Sequence, residues 1–386
     1  MIMLTSTVLA DGKKNLTDYC KQIDDAIAHS ADYVAAHEKK IGEAKHALNF
    51  EASAKGKYQL NYQLYELYKP FVSDSAMYFL GKCIALADGL GDTSGAVKCR
   101  SLMAIRCSNI GMYDEALDIL DSIRPVGIDT LTLGVYYEAY NNVYSELAYY
   151  THLDLMKQRY QAKADHYKKL MLQTMPETYE TCFLRREQDA QGEGKLDEAM
   201  AINDQWMKTV EKGSHPYALV ALYRYIEYKL RGDRDQMMYW LVESVLADLR
   251  NAAMDQGSMW ELANELMLMG EIDKASEYIS FTSDCANRYG SRQRNWQIAP
   301  LLTHIAKNYK SQSEATTTQL RIMLVAISVL LLLLQIVLNG IRHQKPLTRR
   351  AIFGIRPLRL LTAHGHGSIR VRPLIVMVRS SRVFRT

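Results

Sequence analysis

Gly111-Met-Tyr-Asp114-Glu-Ala116-Leu117 is the phrase on which the fold turns. It returns as Gly194-Lys-Leu-Asp197-Glu-Ala199-Met200 and again as Gly270-Glu-Ile-Asp273-Lys-Ala275-Ser276. Shorter copies keep the aspartate and an apolar residue two positions on: Asp74-Ser-Ala76, Asp154-Leu-Met156 and Asp235-Gln-Met237. The second members follow one another at intervals of about 40 residues. Each phrase reads as a helix–turn–helix. The glycine lets the chain leave one helix through a left-handed residue. The aspartate is expected to cap the next helix and to meet the positive end of its dipole. The small Ala116, Ala199 and Ala275 let the second helix approach the first closely. One such pair cannot bury its apolar face alone, so successive pairs stack into a solenoid.

The surrounding composition agrees. Of the eight prolines, three (Pro346, Pro357, Pro373) fall in the last stretch, and residues 16–310 are rich in Ala, Leu, Glu, Lys, Met and Tyr. That pattern predicts helices throughout, and no alternating runs joined by Asn-Gly or Asp-Gly turns suggest strands. The fold class is therefore all-α: a solenoid of helix pairs followed by one transmembrane helix.

The span is Ile322 to Leu338, in which only Ser328 and Gln335 are polar and no residue is charged. These seventeen residues give about 26 Å, the short end for a bilayer, and flanking residues lengthen the span to 320–341. From Arg342 to Thr386 there are ten arginines, one lysine and no acidic residue, whereas the chain as a whole carries only +4, so the part before the tail is net acidic. Positive charge beside a span marks the cytoplasmic side. The expected placement is an inner membrane crossed once, with the N-terminal part periplasmic and the C-terminus cytoplasmic. Val8-Leu9-Ala10 has the small-residue form of a signal-peptidase site, so residues 1–10 read as a truncated signal peptide. The expected divisions are then N-terminal helices over 11–60, the solenoid over 61–312, the span over 320–341 and a basic, disordered tail over 342–386. The abrupt loss of acidic residues after the span suggests that this tail arises from a frameshift.

The phrase resembles the tetratricopeptide repeat, whose second helix begins G-x-[YLI]-D-x-A, over roughly residues 60–290. HEAT-like repeats fit the period better but not the phrase. The order of parts resembles Bacteroidetes-type membrane-anchored tetratricopeptide proteins labelled transcriptional regulators. Their first block is similar to Tyr65-Glu-Leu-Tyr68-Lys69-Pro-Phe71-Val-Ser-Asp74-Ser75-Ala76, followed by Ala85-Leu86-Ala87 and Gly91-Asp92. The cytoplasmic output part of that group is missing here. The resemblance implies an extracytoplasmic sensor half that binds a protein or peptide; the alternative is a structural scaffold of an envelope complex.

No catalytic constellation is expected: H-E-x-x-H, the P-loop, G-x-S-x-G and C-x-x-C are all absent. Gly89-Leu-Gly91-Asp-Thr-Ser-Gly95 lacks the lysine of a phosphate loop and reads as a turn between repeats. Neither a metal, a cofactor nor nucleic acid is expected as a ligand. Cys20, Cys83, Cys99, Cys107, Cys182 and Cys285 show no metal-site spacing and read as small buried residues, their pairing left open. Tyr136, Tyr137, Tyr140 and Tyr144 crowd one helical region and are the candidate groove residues, with filling between repeats as the alternative. A homodimer is the further partner expectation.

Overall fold

The structure is a computed structural model that describes residues 2–255, 257–290 and 292–352. Among the described residues there are fifteen helices and no strand. They are α1 (Ile2–Ala28), α2 (Ser30–Phe50), α3 (Ala54–Tyr68), α4 (Ser73–Leu90), α5 (Thr93–Asn109), α6 (Tyr113–Asp121), α7 (Thr130–Tyr150) and α8 (Asp154–Thr174). There follow α9 (Glu180–Gly192), α10 (Leu196–Met207), α11 (His215–Arg231), α12 (Arg234–Arg250), α13 (Gly257–Met269), α14 (Ile272–Tyr289) and α15 (Arg292–Ile352). Neighbours α3/α4, α5/α6, α7/α8, α9/α10, α11/α12 and α13/α14 pack as pairs, as the repeat requires. The pairing starts at Ala54, slightly before the expected boundary at residue 61.

The repeat phrase folds into one backbone device. At Gly111 (φ +86°) the Met112 amide donates to the Cys107 carbonyl at 2.8 Å, and the Gly111 amide donates to Ser108 at 3.0 Å. The same two bonds recur around Gly194, Gly232 and Gly270, and also around Gly91 in the turn between α4 and α5. This is a Schellman closure, which satisfies the last carbonyls of one helix and needs a residue with positive φ. Two residues later the next helix begins. Ala116, Ala199 and Ala275 are each 0% exposed, so all three lie at helix–helix contacts.

The aspartates do not have the expected role. The residues at the helix boundary are Met112, Lys195 and Glu271, and none makes a side-chain cap bond. Asp114, Asp197 and Asp273 sit inside the first turn, where they meet the positive end of the dipole, and Asp197 also pairs with Arg231. Side-chain caps are supplied elsewhere, by Ser53, Asp92, Asp129, Ser214 and Asp233.

The core is not divided repeat by repeat. Ile23 and Ala26 of α1 share one apolar cluster with Leu241 and Val245 of α12 and Tyr278 of α14. Tyr65, Tyr68 and Phe71, in and just after α3, share another with Met254, Cys285 and Tyr289. Hydrogen bonds join the same elements. The Met254 amide donates to the Pro70 carbonyl at 2.7 Å, and Lys274 Nζ and Tyr278 OH reach the Asp24 carboxylate at 2.7 and 2.8 Å. Early helices are thus closed onto late ones.

Two compact units divide the chain, residues 1–313 and 314–386. In the first, Ile298, Leu301 and Ile305 of α15 are buried in the solenoid core. In the second, the described residues continue α15, whose apolar run is exposed along its length. This helix is long and apolar enough to cross a membrane. It extends to Ile352, beyond the expected start of the tail at Arg342; residues 353–386 lie outside the described residues, as does any test of their disorder. The cut expected after Ala10 falls within α1.

Candidate functional site

Helix α3 presents Tyr62, Tyr65 and Glu66, and its C-cap residue Lys69 continues the spacing of one helical face. Other helices bring charged groups towards it. Arg106 of α5 is buried, and its Nη1 donates to Tyr289 OH at 3.4 Å; that hydroxyl donates in turn to the Lys69 carbonyl at 3.3 Å. Burial works against the Arg106 charge, but Tyr65, Tyr289 and Asp255 outweigh it and hold its pKa above the usual arginine range. Glu138 of α7 accepts from Thr181 Oγ1 of α9 at 2.6 Å. Burial raises its pKa most, against the Thr181 hydrogen bond and the positive charges of Lys69 and Arg185.

His215, at the start of α11, completes the arrangement. Its Nδ1 pairs with Asp248 Oδ1 at 2.9 Å, and Ser258 Oγ donates to the other Asp248 oxygen at 3.0 Å. Burial depresses the imidazole's pKa, but the Asp248 hydrogen bond and charge more than restore it, so the net shift is upward. The His215 side chain nonetheless remains 42% exposed. The first helices of five successive pairs, α3, α5, α7, α9 and α11, thus carry or end in one electrostatically linked set of groups, Lys69, Arg106, Glu138, Arg185 and His215, with Asp248, Asp255 and Tyr289 beside them; the side of the stack that bears this set is called the inner face below. Its charges are of both signs: His215 pairs with Asp248, and Lys69 lies 3.9 Å from Glu66. Among the described residues no cluster of metal-ligating side chains occurs.

The expected tyrosines are placed differently. Tyr140 and Tyr144 are buried, and both stack on Tyr167 of α8, at 4.4 and 6.0 Å between ring centres. Tyr140 OH donates to Asp121 at 2.6 Å, and Lys163 Nζ lies 4.5 Å above the Tyr144 ring. Tyr136 and Tyr137 are half-buried beside them and meet Tyr140 and Tyr167 edge-on or tilted. Tyr136, Tyr140 and Tyr144 recur every four residues, so they share the face of α7 turned towards α8. They fill the space within the α7/α8 pair, and Tyr140 and Tyr144 also pack on the cluster formed by the preceding pair. The six cysteines are free thiols.

The profile of the family described as the SusR N-terminal TPR domain matches residues 27–300. The chain belongs to this family. No curated protein matches it. The SusR-type domain begins within the expected N-terminal helices, so α2 is part of the solenoid unit, in keeping with its packing on α3 and α12. TPR solenoids are protein-binding scaffolds, and the SusR-type domain shares that architecture.

Two further groups of the SusR-type domain left no sequence motif. Glu187 of α9 and Glu227 of α11 are both 0% exposed. Asn203 of α10 donates to Glu187 at 3.1 and 3.3 Å, and Arg224 Nε lies 3.8 Å from Glu227. The signal available was a glutamate at a helix position whose neighbours one and two turns away, such as Arg224 and Val220, are buried.

Proposed function

We propose that this chain is a membrane-anchored extracytoplasmic solenoid that binds a protein or peptide, the sensing half of a signalling protein. The observation that carries this reading is the inner face built from Lys69, Arg106, Glu138, Arg185 and His215. Five repeats contribute charged groups that act on one another, positive beside negative, with the His215 ring still accessible. A solenoid that served only as a spacer would gain nothing by gathering costly charges there. The apolar run of α15 supports the anchor, and the basic residues after Leu338 support an extracytoplasmic solenoid.

The scaffold reading draws on a different surface. Tyr149, Leu153 and Leu155 at the corner between α7 and α8 are 72%, 68% and 78% exposed, an apolar patch of the kind used for permanent contacts. One experiment separates the two. A photo-crosslinking amino acid is placed at Glu66 or Tyr137 near the inner face, and at Leu153 on the corner, in the full chain in native membranes. Adducts from the inner positions that disappear in Arg106→Gln support the sensor. Adducts from Leu153 alone support the scaffold. An alkaline phosphatase fusion at residue 315 that stays inactive overturns the extracytoplasmic placement in either case.

A further inference from the structure

Two carboxylates buried together with too few cations mark a place where the charge balance is incomplete. Glu187, Glu227 and Asn203 are all 0% exposed, at the junction of α9, α10 and α11. Asn203 Nδ2 is divided between the Glu187 carboxylate and the Val220 carbonyl, at 3.1 Å from the latter. Its Oδ1 accepts from Arg224 Nε at 2.7 Å, and the other end of that guanidinium is held by Asp204. Neither Glu227 oxygen has a hydrogen-bond donor. Arg224 Nε, at 3.8 Å, is too far to supply one.

The charged and titratable groups facing the pair are few. From α9 there is Glu187 itself, with Gln191 donating weakly to it at 3.4 Å. From α10 there is Asp204, and from α11 there are Tyr223, Arg224 and Arg231. Trp240 of α12 lies under the guanidinium and carries no charge. Arg224 is already shared with Asp204, and Arg231 also pairs with Asp197 at 2.7 Å. Two ionised glutamates here would face each other with no donor between them.

We propose that Glu187 and Glu227 bind one proton between them, one carboxyl donating to the other, and that loss of this proton loosens the α9–α11 junction. The proton supplies the donor that the Glu227 oxygens lack. It leaves one negative charge in the pair, which Arg224 and Asn203 can hold. Burial is the largest influence on both groups and pushes both pKa values up, as does Glu227's charge on Glu187. The folded pair therefore binds more protons than the unfolded chain at neutral pH. Stability from this junction is greatest in the acid range and falls as pH rises through the raised values.

The junction also positions the inner face. Thr181 and Arg185 lie on α9 ahead of Glu187, and His215 begins the helix that Glu227 nearly ends. Deprotonation would alter the two helices that carry Arg185 and His215. That consequence rests on the proposed function; the proton site itself does not.

The test uses the full chain in detergent or membranes. Infrared difference spectra are recorded against pH for the parent protein, Glu187→Gln and Glu227→Gln, together with thermal midpoints. The expected result is a protonated-carboxyl C=O band in the parent at neutral pH that disappears under alkaline conditions. Either glutamine variant removes the band and flattens the fall of the midpoint between pH 7 and 9, because the amide supplies the donor permanently. Absence of the band from the parent at neutral pH overturns the proposal even if both variants fail to fold. So does a band that persists unchanged in both variants. Retention of the band and its pH response, with inner-face crosslinking unaffected by pH, would leave the proton site standing and remove only the link to recognition.

Discussion

At the scale of single residues, Gly194 and His215 make opposite demands. Gly194 holds φ +74° with open space where a Cβ would stand, so its requirement is conformational and not steric. Gly194→Ala should destabilise the domain by about 1 kcal/mol, with no loss of packing, read as a lower denaturant midpoint at unchanged slope. His215 depends on its neighbour. With Asp248 beside it, its pKa lies above the ordinary 6.5. Its contribution to stability is therefore complete below that value and is lost as pH rises through the folded-state pKa. Asp248→Asn should reverse the shift, and the ring titration followed by NMR should then fall below the ordinary value. Residue roles were only partly legible in the sequence. Gly111, Gly194 and Gly270 announce their left-handed conformations because few other residues tolerate them. Asp114, Asp197 and Asp273 were misread as caps because the Schellman closure places the cap position two residues before each of them, an offset that no residue type marks.

At the scale of elements, α6 shows how a short helix can define a repeat. Ala116 is fully buried on α6 in the cluster containing Leu120, Ala104 and Val143. Ala116→Leu should overpack this contact and cost about 1–3 kcal/mol, measured by chemical denaturation. The tyrosines of α7 illustrate what periodicity leaves open. Their spacing shows that Tyr136, Tyr140 and Tyr144 share a face, but not whether the face meets solvent or α8. That depends on the arrival of Tyr167 from the next helix, 23 residues beyond Tyr144 in sequence. The buried glutamates were hidden for a related reason, since Glu on a helix surface is the usual case and burial follows only from three helices meeting. The apolar part of α15 was the most legible element, because seventeen uncharged residues in sequence need no tertiary context to be recognised. Leu331→Arg should oppose insertion by about 2.5–3.5 kcal/mol, read as chain lost from the membrane pellet after alkaline carbonate extraction.

At the scale of the whole solenoid unit, sequence reading foresaw the stack but not its closure. Contacts such as Asp24 with Lys274 and Tyr278, or Pro70 with Met254, join residues with no shared period, so no repeat phrase records them. A chain lacking residues 1–50 should lose far more than two helices' worth of order. Hydrogen exchange should show deprotection of α12 and α14 as well, whereas an open array would lose protection only in the adjoining α3 and α4. The closure also changes how this unit must fold. An ordinary repeat array has almost no contact order: each pair meets only its neighbours, nucleation can occur anywhere, and a fragment of three repeats is a smaller copy of the whole. Here Ile23 waits for Leu241 and Asp24 waits for Lys274, so α1 completes its packing only after a further 250 residues have been synthesised. During that interval α1 exposes the apolar side that α12 will cover. The SusR-type unit should therefore behave as one cooperative body with a slow final step, and its earliest helix should be its chief aggregation hazard during synthesis.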